Sequence, residues 1–221
     1  MQTFATPAPI TAVLDFAAGS VQLVAADRAD TTVEVGPADA AKNRDVKAAE
    51  QTTVSYADGV LRIHTPQGKN PYFGPGGSVR ITVGLPAGSR VEAKASAAEL
   101  DGVGRLGDVT FDGAYRRIKL ARAATVQLTA TDGDVEVGHL EGAAQISTAR
   151  GDIRITEAVR GDVVLSTQSG GITVGAAAGV SASLDAGTSY GRISNTLKNT
   201  GAAELTIRAT TAQGDIAAHS L

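Results

Sequence analysis

The sequence predicts an all-β chain folded as a single-domain parallel β-solenoid, and three observations carry that expectation. A short string recurs along the chain: Gly133-Asp134-Val135, Gly151-Asp152-Ile153, Gly170-Gly171-Ile172, Gly191-Arg192-Ile193 and Gly214-Asp215-Ile216, with weaker copies at Ala98-Glu99-Leu100 and Arg116-Arg117-Ile118. Its apolar residues fall at 100, 118, 135, 153, 172, 193 and 216, at successive spacings of 18, 17, 18, 19, 21 and 23. Helical repeats run at about 33–47 residues, so this shorter period suits a β-structure in which each turn stacks on the last. The segments between the strings alternate apolar and polar residues, which puts the apolar ones on one face of a strand. The composition agrees: 26 Gly, aromatics at 4% and no Trp leave a core built of small and β-branched residues.

Each repeat holds two alternating segments. The first reads Val109-x-Phe111, Val126-x-Leu128, Ala144-x-Ile146, Val163-x-Leu165, Ala182-x-Leu184 and Leu205-x-Ile207. The second reads Ile118-x-Leu120, Val135-x-Val137, Ile153-x-Ile155 and Ile172-x-Val174. A polar corner such as Ser147-Thr148-Ala149-Arg150-Gly151 separates them, and glycine tolerates the positive φ that a sharp corner needs. Stacking then predicts a column just after the apolar marker: Asp101, Lys119, Glu136, Arg154, Thr173 and Ser194. Rungs about 4.8 Å apart favour opposite charges as neighbours, and this column begins acid, base, acid, base.

Residues 1–88 read as a less regular N-terminal cap region and 89–221 as the regular repeats of about 18–23 residues. Strands are expected at Thr32–Val35, Thr53–Tyr56, Val60–Ile63 and Ser78–Val83, with a tight turn at Asp58-Gly59. Ala38 to Ala49 is expected to form a short helix covering one end, where strand edges need protection. The loop Gln67–Gly77 is rich in Gly and Pro and carries the adjacent aromatics Tyr72 and Phe73, which fit either a binding anchor or a plug for the core end.

Charge and composition exclude several classes. With 20 Lys+Arg against 23 Asp+Glu, the net charge of −3 argues against a nucleic-acid partner. A hydrophobic fraction of 43% argues against disorder, and zero Cys excludes disulfides, thiolate zinc sites and Cys nucleophiles. No leader-like N-terminus and no apolar run of the roughly 18 residues that span a bilayer are visible. A cytoplasmic location without membrane insertion is the resulting expectation.

These residues together resemble domain-of-unknown-function family 4097, the adhesin-labelled β-strand-repeat proteins, in its actinobacterial form. The resemblance rests on Asp45-Val46 to Ala49-Glu50, the Phe73-Gly74 and Gly76–Val79 loop, Leu85–Ser89 and the Gly-Asp-Val/Ile repeats. It continues through Ser189–Leu197 to Gly214-Asp215-Ile216. It implies a β-helix-like solenoid, with right-handed winding the expectation, and no catalytic role. Arg116-Arg117 and Gly170-Gly171 depart from the Gly-Asp pattern.

The chemistry-bearing residues support no reaction. His64, His139 and His219 lack a nucleophile motif beside them, and His139 with Glu136 and Glu141 has no metal-ligand spacing. Asp132, Asp134, Asp152, Asp162 and Asp215 suggest calcium, but the Gly-Asp period is twice that of a calcium-binding nonapeptide. Such Asp residues are expected to cap corner amides instead. The basic residues Arg105, Arg116, Arg117, Lys119 and Arg122 read either as an anionic-partner patch or as a solvated face paired with Asp101, Asp108, Asp112 and Glu136, and the second reading is preferred. The functional expectation is a non-catalytic interaction scaffold with no cofactor and no metal. Its candidate binding residues are Tyr72, Phe73, Arg116 and Arg117, and its partner is a protein. The alternatives are a self-assembling module stacking end to end through Ile216-Ala217-Ala218, and a glycan-binding adhesin-like protein.

Overall fold

In the computed structural model the described residues are 1–66, 77–114 and 116–221. Tyr72 and Phe73 lie outside them. The elements in chain order are β1 (Gln2–Ala5), β2 (Thr11–Ala26), β3 (Asp30–Pro37), α1 (Asn43–Gln51), β4 (Thr53–Ala57), β5 (Val60–His64), β6 (Ser78–Pro86), β7 (Arg90–Ala114) and β8 (Ile118–Asp132). They continue as β9 (Val135–Leu140), β10 (Ala144–Arg150), β11 (Ile153–Ala158), β12 (Gly161–Ser169), β13 (Ile172–Ala176), β14 (Ala182–Tyr190), β15 (Ile193–Thr196), β16 (Leu205–Gln213) and β17 (Ile216–Ser220). The fold is all-β, a long, mostly parallel and unclosed sheet of stacked two-strand rungs.

The rungs arise where the sequence pattern places them. In the rung of β10 and β11, Ala144, Ile146, Ile153 and Ile155 point inward and are almost fully buried, while Gln145 and Arg154 between them are exposed. The next rung repeats this with Val163, Leu165, Ile172 and Val174. Parallel pairing in exact repeat register stacks like on like: Ile146 on Leu165, Ile155 on Val174. Each such buried side chain contributes roughly 1.5–3 kcal/mol, and one contiguous cluster runs from Ile10 to Ile216.

The order of rungs in space differs from the order in sequence at both ends. Near the C-terminus, β12 and β13 pair not with β14 and β15 but with β16 and β17. Strands β14 and β15 pair on the far side of β16 and β17. The last strands of the chain are therefore inserted, and the terminal rung is the earlier β14–β15. At the other end, β2 is inserted between β5–β6 and β7. This corrects the expectation of an open final turn at Ile216-Ala217-Ala218: Ile216 lies between Ile172 and Ile193 and is 1% exposed.

The side of the first rung that β2 leaves free is paired. Strand β4 runs antiparallel to β5, β3 runs antiparallel to β6, and β1 extends β3. The helix α1 starts at Asn43 rather than Ala38, and only Asp45 and Ala48 on it are buried. Asp45 anchors it there by accepting the Ser78 N–H at 2.9 Å. The preceding Asp39 instead makes a turn, accepting the Ala41 N–H at 3.0 Å, a local bond that competes with helix.

Candidate functional site

Chemistry in this molecule concentrates at the corners between paired strands. The corner glycines are required twice over. At Gly151 φ is +130°, and a Cβ would strike the Gly133 carbonyl oxygen of the neighbouring rung; at Gly214 φ is +149°, and a Cβ would strike the Gly170 carbonyl oxygen. Inside the corner stands a threonine column in which Thr148, Thr167, Thr211 and Thr188 are in register, the first three buried and Thr188, on the terminal rung, half-buried. Their hydroxyls donate to corner carbonyls: Thr148 to Arg150 at 3.0 Å, Thr167 to Gly151 at 3.2 Å, Thr211 to Gly170 at 3.0 Å and Thr188 to Gly214 at 3.0 Å. A valine would fit these positions but would leave a corner carbonyl without that donor.

Outside the corner the aspartates form a second ladder. Asp134 accepts the Asp152 N–H at 2.9 Å, Asp152 accepts the Gly171 N–H at 2.7 Å, and Asp215 accepts the Arg192 N–H at 2.9 Å. Each of these three carboxylates thus ties its own corner to an amide of the adjacent turn, while Asp132 and Asp162, for which corner capping was equally expected, cap no amide among the described residues. Among the described residues, no three carboxylate or imidazole side chains gather closely enough to hold a metal ion. Asp215 also holds the Arg192 guanidinium at 2.7 Å, and that pairing lowers the Asp215 pKa below the ordinary carboxylate value.

The charged column is in register as predicted from Asp101 through Lys119 and Glu136 to Arg154 and Thr173. Ala217 then comes before Ser194, because of the inserted rung. Within it only Lys119 and Glu136 approach as an ion pair, at 3.6 Å. His139 pairs not with Glu136 or Glu141 but with Glu157 one rung on, at 2.9 Å. Other contacts across adjacent strands include the ion pair Asp132–Arg150 at 3.2 Å and the approach of the Asp15 carboxylate to the His64 ring at 3.3 Å.

Towards the first rungs the corner changes character. Its outer column reads Arg80, Ser20, Glu99 and then Arg117, in place of aspartates. Long side chains on neighbouring rungs leave space between them, and a shallow groove of about 250 Å³ runs across these turns. Arg80, Glu99, Asp101, Arg117 and Lys119 line it, together with Ser20 and Gln22. A second depression of about 320 Å³ adjoins it, bordered by Glu99, Ser78 and Arg116.

The structure therefore brings Arg116, Arg117 and Lys119 together at one corner. It separates them from Arg105 and Arg122, which face each other further along the second strand. The expected neutralisation of this cluster is largely not made. Asp108 accepts a hydrogen bond from Thr125 at 2.6 Å, and Arg116, Arg117, Glu99 and Asp101 form no ion pair within 4.0 Å with another described residue. The residues that sequence reasoning missed here are Arg80 and Glu99. Arg80 is 19 positions before Glu99, the repeat spacing, but the intervening Ser20 rung comes from 60 residues earlier and hides the column.

A corner-stacked, mostly parallel β-solenoid with a charged groove over its first rungs is the class that fold and site define. The chain belongs to the Toastrack DUF4097 family, whose pattern matches residues 12–220. Among solved structures it is similar to a putative cell adhesion protein from Clostridium sporogenes, with 13% identity over 100% of this chain and 98% of that one and a TM-score of 0.41. It is similar also to a putative adhesin from Parabacteroides distasonis, with 14% identity over 98% and 95% and a TM-score of 0.43. A putative adhesin from Bacteroides fragilis gives 10% identity over 98% and 95%, with a TM-score of 0.36. No curated protein matches the chain.

Proposed function

We propose that this protein is a non-catalytic interaction scaffold whose binding surface is the corner groove over the first rungs, and that its partner is a protein. One observation carries the reading: Arg116, Arg117, Glu99 and Asp101 stand exposed or half-exposed beside a groove without ion-pair partners among the described residues. Charges left unpaired on a rigid parallel sheet keep a fixed spacing, and fixed charges of both signs set register and partner choice more than raw affinity. A polypeptide carrying both signs of charge matches that arrangement. In this reading the antiparallel strands β3 and β4 with α1 act as the cap of the first rung, the coil is right-handed, and the chain is one domain.

The test is a pull-down with the purified chain as bait, comparing the wild type with Arg116→Glu/Arg117→Glu. Both side chains are exposed and away from the core, so the variant is expected to keep its circular dichroism spectrum and melting temperature. Loss of the captured protein, with weaker capture by the wild type at higher salt, is the expected outcome. Unchanged capture by the double variant refutes the groove as the binding surface.

A further inference from the structure

The terminal rung β14–β15 exposes a strand edge that nothing among the described residues completes. Its other side is fully paired with β16 and β17. The Ser181 carbonyl accepts the Leu205 N–H of β16 at 3.2 Å, so by strand alternation the Ala182 N–H points the opposite way. There it meets the Lys198 carbonyl at 3.0 Å. The register with β16 is continuous from Ala182 to Thr188, so the same alternation turns the N–H and C=O groups of Leu184, Ala186 and Thr188 away from β16 towards solvent. At the end of this edge Tyr190 and Ile193 are 76% and 48% exposed, among the exposed large hydrophobic side chains of the described residues.

We propose that this edge is a homodimer interface, closed by antiparallel pairing of β14 with β14 of a second copy about a two-fold axis at Ala186. The pattern is self-complementary. Centring the axis at Ala186 sets Leu184 opposite Thr188 and Ala186 opposite itself, so every free N–H and C=O of that stretch meets its complement. The outward side chains then fall as Asp185 opposite Gly187 and Ser183 opposite Ser189, and no like charges face each other. Gly187 is not in the left-handed region, and a Cβ there meets nothing within 4 Å, so the position is open to a facing side chain. The inward side chains Leu184 and Ala186, half-buried at the end of the core, gain cover from the same contact.

The other end of the solenoid points to the same occupant. Because β3 and β4 already pair antiparallel with β6 and β5, no edge of the first rung itself is open among the described residues to receive β14 of another copy. Tail-to-tail pairing of the open rung uses the same edge on both copies and so closes on itself, a dimer rather than a filament. The Lys198 carbonyl limits the new ladder to Leu184–Thr188, so the interface is short and the association depends on concentration.

Sedimentation equilibrium of the 22.3-kDa chain tests this, using charge at Gly187. The wild type is expected to show reversible monomer–dimer behaviour. Gly187→Asp sets one carboxylate opposite Asp185 of the other copy, twice per dimer, and is expected to weaken association about tenfold or more, whereas Gly187→Lys faces Asp185 with its complement and associates at least as tightly as the wild type. A wild type that stays monomeric up to about 1 mM overturns the proposal. So does a dimer that Gly187→Asp leaves intact, or one that both substitutions weaken equally. A monomeric wild type that captures a different protein through β14 also overturns it, since the edge then serves another chain.

Discussion

At the scale of single residues, the corner is where this architecture is least tolerant. A glycine such as Gly151 satisfies two demands at once, a positive φ and a neighbouring carbonyl too close for any Cβ. Gly151→Ala is accordingly expected to destabilise the protein by about 2 kcal/mol or more, read as a lowered midpoint in urea unfolding. The adjacent Thr167 acts differently. Thr167→Val keeps shape but removes the hydroxyl that donates to the Gly151 carbonyl, and an expected loss of about 1–2 kcal/mol separates hydrogen bonding from packing. A valine variant as stable as the wild type would show that the threonine column is packing alone. The glycine was legible in the sequence as a corner marker, whereas the threonine was only one polar residue among several in the corner. The carbonyls that they meet belong to other rungs, so the reasons for them were not legible.

At the scale of elements, the terminal rung is held by fewer ties than the inner ones. Strand β15 is exposed along its length, and its corner depends on the Asp215 carboxylate, which accepts both the Arg192 N–H and its guanidinium. The pairing depresses the Asp215 pKa, chiefly through the Arg192 side chain. A carboxylate whose folded pKa is lowered contributes stability that is present above its unfolded value of about 3.9 and lost as pH falls through the folded one. A fall in amide protection at β15 on acidification, measured relative to the intrinsic exchange rate at each pH, is therefore expected ahead of any fall at β11. Arg192→Ala should move the Asp215 titration, followed by NMR, up towards the ordinary carboxylate range, with the backbone N–H of residue 192 still holding part of the depression. An unshifted Asp215 in the wild type would refute the clamp.

At the scale of the whole molecule, the inserted rungs make a specific demand. Strands β16 and β17 sit between β12–β13 and β14–β15, so the end of the chain is a central plank of the sheet. Deleting residues 205–221 removes the partner of two rungs at once and uncovers Leu165, Val174 and their neighbours. That truncation is expected to give insoluble or unfolded protein, judged by soluble yield and circular dichroism. A soluble, folded truncation would mean that β14 and β15 can move in to pair directly with β12 and β13, in the sequential order that the repeats first suggest.

The sequence by itself determined the rung. Its two-strand alternation, its glycine corner and the acid–base column from Asp101 to Arg154 follow from local pattern and a constant period, and wherever consecutive repeats are also neighbours in space that reading holds. The spatial order of the last two rungs was decided only by tertiary structure. Ile193-Ser194-Asn195-Thr196 and Ile216-Ala217-Ala218-His219 both read as second strands, and either could pair with Ile172 onwards. The more apolar Ile-Ala-Ala segment takes the inner place and the Ser-Asn-Thr segment faces solvent. Burial rewards that exchange, and a periodic pattern cannot encode it. The lengthened spacings of 21 and 23 residues were its one trace in the sequence, since a chain that steps past a vacant rung and returns needs longer connections.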